Sequence, residues 1–216
     1  MKFPLVVIPA AGKGTRMGGG VPKCLRLVNG EPIIRLVYEF WAPMAQECVI
    51  LVPPGTRHEF EKATSYKESY NSFWDQRRII EGDWASVPAA ILDALQEVRC
   101  PRRFAVALGD CLFDGTFDFD GLSDFHGVAV DDGDPDFARS YAVKQLSDYR
   151  IDVMEKPKRG VGAFFFNWLA LPALHNTAAV DGGIVDVVAA LPGVVKAIPF
   201  SGKYLNCTTP EDLERW

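Results

Sequence analysis

Three cations stand in one glycine-rich stretch near the start of the chain. Lys13, Arg16 and Lys23 lie within Pro9-Ala10-Ala11-Gly12-Lys13-Gly14-Thr15-Arg16-Met17-Gly18-Gly19-Gly20-Val21-Pro22-Lys23. Glycine and alanine let backbone N–H groups come close to an anion, and the cations add fixed positive charge. That chemistry suits a phosphorylated ligand, a nucleotide first of all. The stretch is not a Walker A loop, because no helix-opening Ser or Thr follows its Gly-Lys pair at the right distance. It is a poor dinucleotide fingerprint as well, since Gly12, Gly14 and Gly18 are misplaced by one and cations interrupt them.

Such a loop needs a rigid support. Val6-Val7-Ile8 leads straight into it and reads as a buried strand. The apolar stretch 25–28 ends at the turn pair Asn29-Gly30, and Pro32 opens a helix with Ile33, Leu36, Val37 and Phe40 on one face. A strand is expected over 47–52, an exposed amphipathic helix over 57–73 with Phe60 and Tyr66 facing the core, and a weaker strand over 76–80. After the loop Gly82-Asp83-Trp84 comes a helix over 85–98, with Pro88 in its first turn, then a strand over 104–108 with Gly109-Asp110 at its carboxyl end. Four strand–helix alternations predict a parallel sheet covered on both faces. Ligands of such sheets sit outside the carboxyl ends of the strands, so the cationic loop, Gly82-Asp83-Trp84 and Asp110 are expected to share one crevice.

The second half changes character. Residues 110–136 are dense in Asp, Gly and Phe and give no clear element. Strands are expected over 139–143, 151–154, 161–166 and 194–199, helices over 169–175 and 185–191, and a last helix over 210–216 capped by Thr208 or Thr209. There is no repeat and no linker, so residues 1–216 read as a single domain.

Composition excludes several classes. The net charge of −5 argues against a nucleic-acid binder, which needs a basic face, but leaves room for a local cationic pocket. The five cysteines (Cys24, Cys48, Cys100, Cys111, Cys207) are odd in number, with no CxxC pair, and read as reduced thiols rather than a disulfide framework or zinc site. The histidines His58, His126 and His175 lack ligand spacing and read as structural or exposed. No run approaches the ~20 apolar residues that span a bilayer, and the apolar start runs into a cationic loop rather than a cleavage region. A cytoplasmic protein without membrane or nucleic-acid partners is expected, its homo-oligomeric state left open.

The order of motifs resembles the sugar-phosphate nucleotidyltransferases, among them glucose-1-phosphate thymidylyltransferase and N-acetylglucosamine-1-phosphate uridylyltransferase. The opening loop carries most of the likeness, followed by Leu108-Gly109-Asp110, Glu155-Lys156-Pro157, Gly162-Ala163-Phe164-Phe165-Phe166 and Asn206-Cys207-Thr208-Thr209-Pro210-Glu211-Asp212-Leu213. The resemblance implies an α/β fold: a Rossmann-like three-layer sandwich with a mixed, mainly parallel central sheet of the GT-A-like nucleotidyltransferase kind. It implies a nucleotide-binding half over 1–110 and a sugar-phosphate-binding half over 111–216. The implied reaction moves NMP from an NTP to a sugar 1-phosphate, giving an NDP-sugar and pyrophosphate. A phosphate monoester is already anionic at neutral pH, so no general base is needed. Stabilising the charge that moves onto pyrophosphate is the harder task.

By resemblance, Arg16 and Lys23 are the catalytic cations on the triphosphate. The nucleotide is held by Ala10, Ala11, Gly12, Lys13, Gly14 and Thr15, with the base against Gln76, Gly82 and Ala85. Glu155, Lys156 and Gly162 meet the sugar phosphate. Asp110 and Asn206 bind Mg2+, a hard cation that takes oxygen ligands. The chain departs from the pattern where Asn206 offers an amide for a carboxylate, where Cys111 stands in place of Asn, and where Gly183 lacks a Glu side chain. The opening also resembles methylerythritol-phosphate cytidylyltransferase, but that family's central His-Asp-Ala-Ala-Arg-Pro segment is missing. No left-handed β-helix follows Trp216, so a second acetyltransferase activity is not expected. Two other readings stand: a cytidylyltransferase for a non-sugar phosphate such as phosphocholine, and a non-catalytic nucleotide or sugar-nucleotide binder.

Overall fold

Strand β1 (Phe3–Pro9) is apolar on both sides and lies inside the sheet: Val6 and Ile8 enter one core, Leu5 and Val7 the other. The computed structural model describes residues 2–12, 14, 17–18, 20–65, 77–120, 126–131, 159–193 and 195–216. The strands expected over 139–143 and 151–154 lie outside these residues, as do Tyr66 and the site candidates Lys13, Thr15, Arg16, Gln76, Glu155 and Lys156.

After β1 come β2 (Leu27–Val28) and β3 (Glu31–Pro32), a small hairpin turned by Asn29-Gly30. Then follow α1 (Ile33–Trp41), β4 (Ala45–Val52), α2 (Arg57–Thr64), β5 (Arg77–Glu81), α3 (Val87–Glu97) and β6 (Arg103–Ala107). The second half adds β7 (Cys111–Phe117), β8 (His126–Asp131), β9 (Arg159–Asn167), α4 (Leu171–Ala178), α5 (Ile184–Ala189) and β10 (Val195–Asn206). The main sheet has the order β5-β4-β1-β6-β9-β8-β10-β7. Its first four strands are parallel, β9 runs antiparallel to β6 and β8, and β10 is parallel to β8 and antiparallel to β7. Helices α1 and α2 cover one face, α3, α4 and α5 the other. The mixed three-layer α/β architecture is the expected one.

From β1 the chain goes outward to β4 and β5, then returns to β6 on β1's other side. That reversal opens a crevice beyond the carboxyl ends of β1 and β6.

Several boundaries differ from expectation. Helix α2 ends at Thr64, with Ser65 extended at ψ 130°, and the rest of the helix expected to residue 73 lies outside the described residues. Arg35 on α1 donates to the carbonyls of Ala63 and Ser65 at 3.0 and 2.9 Å, so partners from elsewhere satisfy the helix end. The unassigned 110–136 region holds β7 and β8. Its phenylalanines form an aromatic cluster: Trp41 stacks on Phe117 at 5.2 Å between centroids, and Phe200 meets Phe117 and Phe113 at 4.9 and 5.4 Å. The strand expected over 194–199 continues to Asn206, where β10 pairs with β7. The final helix is a 3-10 turn, Pro210–Glu214, whose start is tied by Asp212 accepting from the N–H groups of Thr208 and Thr209, both at 2.8 Å. Among the described residues no helix is long and apolar enough to cross a membrane.

All five cysteines are free thiols, and four of them are buried. Burial pushes Cys48 and Cys207 up to about 12 and raises Cys24 and Cys111 further, with the Asp110 charge adding to the rise at Cys24, Cys111 and Cys207. Thiols held protonated and covered are unreactive. Iodoacetamide at pH 8 on the native protein is expected to label Cys100, the one partly exposed thiol, well before the others; mass spectrometry showing early labelling of Cys24, Cys111 or Cys207 would contradict this.

His126 is 3% exposed, and its Nδ1 accepts the Asn167 N–H at 3.5 Å. Burial lowers its pKa below 6.5, so the folded state holds the ring neutral. The unfolded chain takes up a proton as pH falls through about 6.5, while the folded chain resists until its own lower pKa. Stability therefore falls across that interval and levels off below it. Denaturant unfolding between pH 8 and pH 5 should show the loss, and His126→Gln should flatten it; an unchanged slope in the variant would assign the loss elsewhere.

Candidate active site

The cationic loop begins where β1 ends. The Ala10 N–H donates to Leu51 O of β4 at 2.8 Å and Ala10 is buried. This alanine therefore shapes the loop's root, and its N–H is engaged with the sheet. Ala11 and Gly12 follow and line the crevice. Gly14 sits at φ +57°, where a Cβ would stand 2.9 Å from Lys23 Cβ, so the loop's two ends close on each other only over a glycine. The Met17 N–H donates to Gly14 O at 2.8 Å, and Met17 is buried, an apolar anchor under the loop.

Lys23 opens a 3-10 turn, Lys23–Leu25, preceded by Pro22. Its ammonium Nζ lies 2.5 Å from Asp110 Oδ2, with side chains 12% and 28% exposed. Asp110 follows β6, and its segment is fastened on three sides. The Gly109 N–H donates to Pro9 O (3.0 Å), the Leu108 N–H to Gly162 O (2.9 Å) and the Cys207 N–H to Asp110 O (2.9 Å). Gly109 is required here, because a Cβ would stand 2.8 Å from Pro9 O.

The crevice measures about 650 Å³ and brings together Ala11, Gly12, Lys23, Asp110, Trp84 and Ala85, as the strand-end argument expected. Trp84 folds over Gly82, and its Nε1–H donates to Asp93 Oδ2 on α3 at 3.1 Å, which fixes the ring as a wall. Ser86 caps α3 by accepting from the Ala89 N–H at 3.4 Å. Gly82 itself continues the β5 edge, its N–H donating to Val52 O at 3.1 Å.

Of the remaining positions, Asn206 and Gly162 lie beside the Asp110 segment. Asn206, at the end of β10, stands opposite Cys111 in the β7–β10 pairing, with its amide oxygen buried. Gly162 on β9 is buried with its Cα toward Cys111 and Tyr204. Gly183 precedes α5, its N–H bonded to Asp186 Oδ2 at 2.7 Å. Asp83 and Leu108, which belong to the segments expected there, also line the crevice, whereas Tyr204 was missed from the sequence. The alternation of Phe200 and Tyr204 beyond residue 199 was the available sign that β10 runs on toward the site.

A hard divalent cation would find one carboxylate, Asp110, and one amide oxygen, Asn206. Among the described residues no group of three or more His, Cys, Asp or Glu could hold a metal alone. So sparse a set fits Mg2+, which keeps several waters and takes further oxygens from phosphate. The ammonium on Asp110 Oδ2 already shows the carboxylate drawing a cation, and a hard cation prefers such oxygen ligands to sulfur.

Known proteins bear on this geometry. Over 49 residues the chain is 49% identical to the 2-C-methyl-D-erythritol 4-phosphate cytidylyltransferase of Streptomyces avermitilis, covering 22% of this chain and 20% of that protein. The corresponding protein of Streptomyces coelicolor is 47% identical over 49 residues, 22% and 18% of the two chains. The chain thus spans about a fifth of the length of these curated relatives. Among solved structures, a UDP-glucose pyrophosphorylase complexed with UDP-glucose superposes with TM-score 0.75 at 16% identity, covering 100% of this chain and 97% of the other. The inositol-1-phosphate CTP transferase from T. maritima gives 0.74 at 13%, covering 98% and 92%. At these identities the likeness establishes the fold. Residues 6–116, from β1 through the crevice into β7, match the MobA-like NTP transferase domain, and the chain belongs to that family of nucleotidyltransferases.

Proposed function

We propose that the protein transfers NMP from an NTP to a sugar 1-phosphate or a related phosphorylated small molecule, with Mg2+, releasing pyrophosphate. The observation that supports it best is the Lys23–Asp110 pair at the carboxyl ends of β1 and β6, within the crevice walled by Ala11, Gly12 and Trp84. An acceptor phosphate oxygen forms a bond to the α-phosphorus, and the bond from that phosphorus to the bridging oxygen breaks, its electron pair leaving with pyrophosphate. Lys23 lies where it can turn from Asp110 to the triphosphate and offset the charge that grows on the leaving group. Asp110 and Asn206 would hold the cation, whose chemistry is to neutralise phosphate oxygens. Arg16 and Lys13 complete the phosphate contacts, Gln76, Gly82 and Ala85 the base contacts, and Glu155, Lys156 and Gly162 the acceptor side.

The local identity to cytidylyltransferases favours a second form of the same reaction, with CTP as donor and a polyol phosphate as acceptor. Incubation with Mg2+, each of the four NTPs and a panel of acceptors separates the two; the panel holds glucose 1-phosphate, inositol 1-phosphate, methylerythritol 4-phosphate and phosphocholine. Pyrophosphate release is expected for at least one pair. Binding of an NTP with silence across the panel would point to a non-catalytic binder. Lys23→Ala and Asp110→Asn are each expected to lower kcat by about 10²–10³-fold, in line with losing one charged transition-state contact. A Lys23→Ala enzyme within twofold of the wild type would remove Lys23 from the mechanism.

A further inference from the structure

We infer that Cys111 and Tyr204 form a hydrogen-bond relay that holds the Asp110 carboxylate in its cation-facing orientation. The inference rests on the proposed role of Asp110. Cys111 Sγ lies 3.6 Å from Asp110 Oδ1 and donates to it, while the Tyr204 hydroxyl lies 3.3 Å from the same sulfur. A thiol has one proton. With that proton spent on Oδ1, the tyrosine must be the donor to sulfur, giving a directed chain O–H···S–H···Oδ1. Oδ1 is thereby taken from behind, and Oδ2 is the oxygen that meets Lys23.

The fold reserves space for this chain. Gly162 sits at φ +50°, and a Cβ there would overlap Cys111 Sγ and touch the Tyr204 hydroxyl. Cys111 is fully buried, so its thiol has no solvent to turn to. Cys111 opens β7, Tyr204 stands on the neighbouring β10, and Gly162 carries the carbonyl that holds Leu108, two residues before Asp110. Three strands thus surround the sulfur that reaches the carboxylate oxygen. A group bonded to a metal-ligating side chain orients it and tunes its affinity, and removing such groups costs about 10- to 100-fold in binding. Cys111 and Tyr204 are positioning residues in this sense, acting through Asp110 without touching substrate.

Two measurements test the relay. The first needs no metal: the infrared S–H stretch of Cys111, identified by difference against Cys111→Ser, should shift in Asp110→Asn and again in Tyr204→Phe. A band unmoved by both would overturn the relay. The second is Mn2+ titration by electron paramagnetic resonance, with the metal alone and with a non-hydrolysable NTP. Cys111→Ala and Tyr204→Phe should weaken Mn2+ binding about tenfold, at the lower end of the range because a thiol is a weak donor, and Cys111→Ser should recover it. In turnover, both variants should need more Mg2+ for half-saturation yet reach near wild-type kcat at saturating Mg2+, which a merely destabilised fold would not do. Mn2+ affinity unchanged in Cys111→Ala overturns the positioning role. A wild type that takes up Mn2+ under neither condition overturns the metal-dependent function, and the infrared bands then still decide whether the hydrogen bonds exist.

Discussion

The site depends on how Asp110 is held. Its backbone is the seam between the parallel and antiparallel parts of the sheet: Gly109 bonds to the end of β1, Leu108 to β9, and Asp110 itself to Cys207 just past β10. Each is a backbone hydrogen bond, indifferent to side-chain identity and tolerant of little displacement. The backbone from which the carboxylate projects is therefore fixed before any ligand is present. Lys23 reaches it from the other side of the crevice, and at 2.5 Å the two partly buried charges neutralise each other.

The rest of the architecture serves that seam unequally. Parallel strands β4, β1 and β6 are buried on both faces and hold the root of the cationic loop, with the Ala10 N–H itself part of the sheet. On the other side, β7 and β10 form an edge pair that would be exposed were it not for the aromatic cluster. Trp41 and Phe40 of α1 meet Phe113 and Phe117 at 5.2–5.9 Å and bring that edge back against the first helix. Packing of this kind is worth more than area alone when rings meet edge to face. It also fixes β7 relative to β1, and so fixes Cys111 and Asp110 relative to the loop.

What could be read in the sequence follows from the same physics. β1, β4, β6 and α3 were legible because doubly buried parallel strands are continuous apolar runs joined by short connections. The meeting of Ala11, Lys23, Trp84 and Asp110 followed from strand ends alone. β7 was not legible: Asp114 and Gly115 are poor strand formers, and the strand exists because β10, some 90 residues later, pairs with it. The end of α2 was hidden for a related reason, since Arg35 terminates it from another helix. The engagement of the Ala10 N–H depends on which strand lies beside β1. The contact between Cys111 and Tyr204 spans a separation that no local pattern encodes. Chemistry carried by neighbours in sequence was visible, and chemistry assembled across the sheet was not.

The Lys23–Asp110 pair also constrains how ligands enter on the proposed reading. Separating two partly buried charges is costly when only one finds a new partner, because the other is left bare in a medium poorer than water at solvating it. A triphosphate alone offers Lys23 a partner but leaves the Asp110 carboxylate facing added negative charge. A cation alone offers Asp110 a partner but leaves the Lys23 ammonium beside added positive charge. Only the two together satisfy both side chains at once, so the free energy of opening the pair is shared between them and their binding is coupled. By linkage each then tightens the other by the same factor. The ion pair between Lys23 and Asp110 is, on this argument, what makes the site respond to the nucleotide and its cation as a unit.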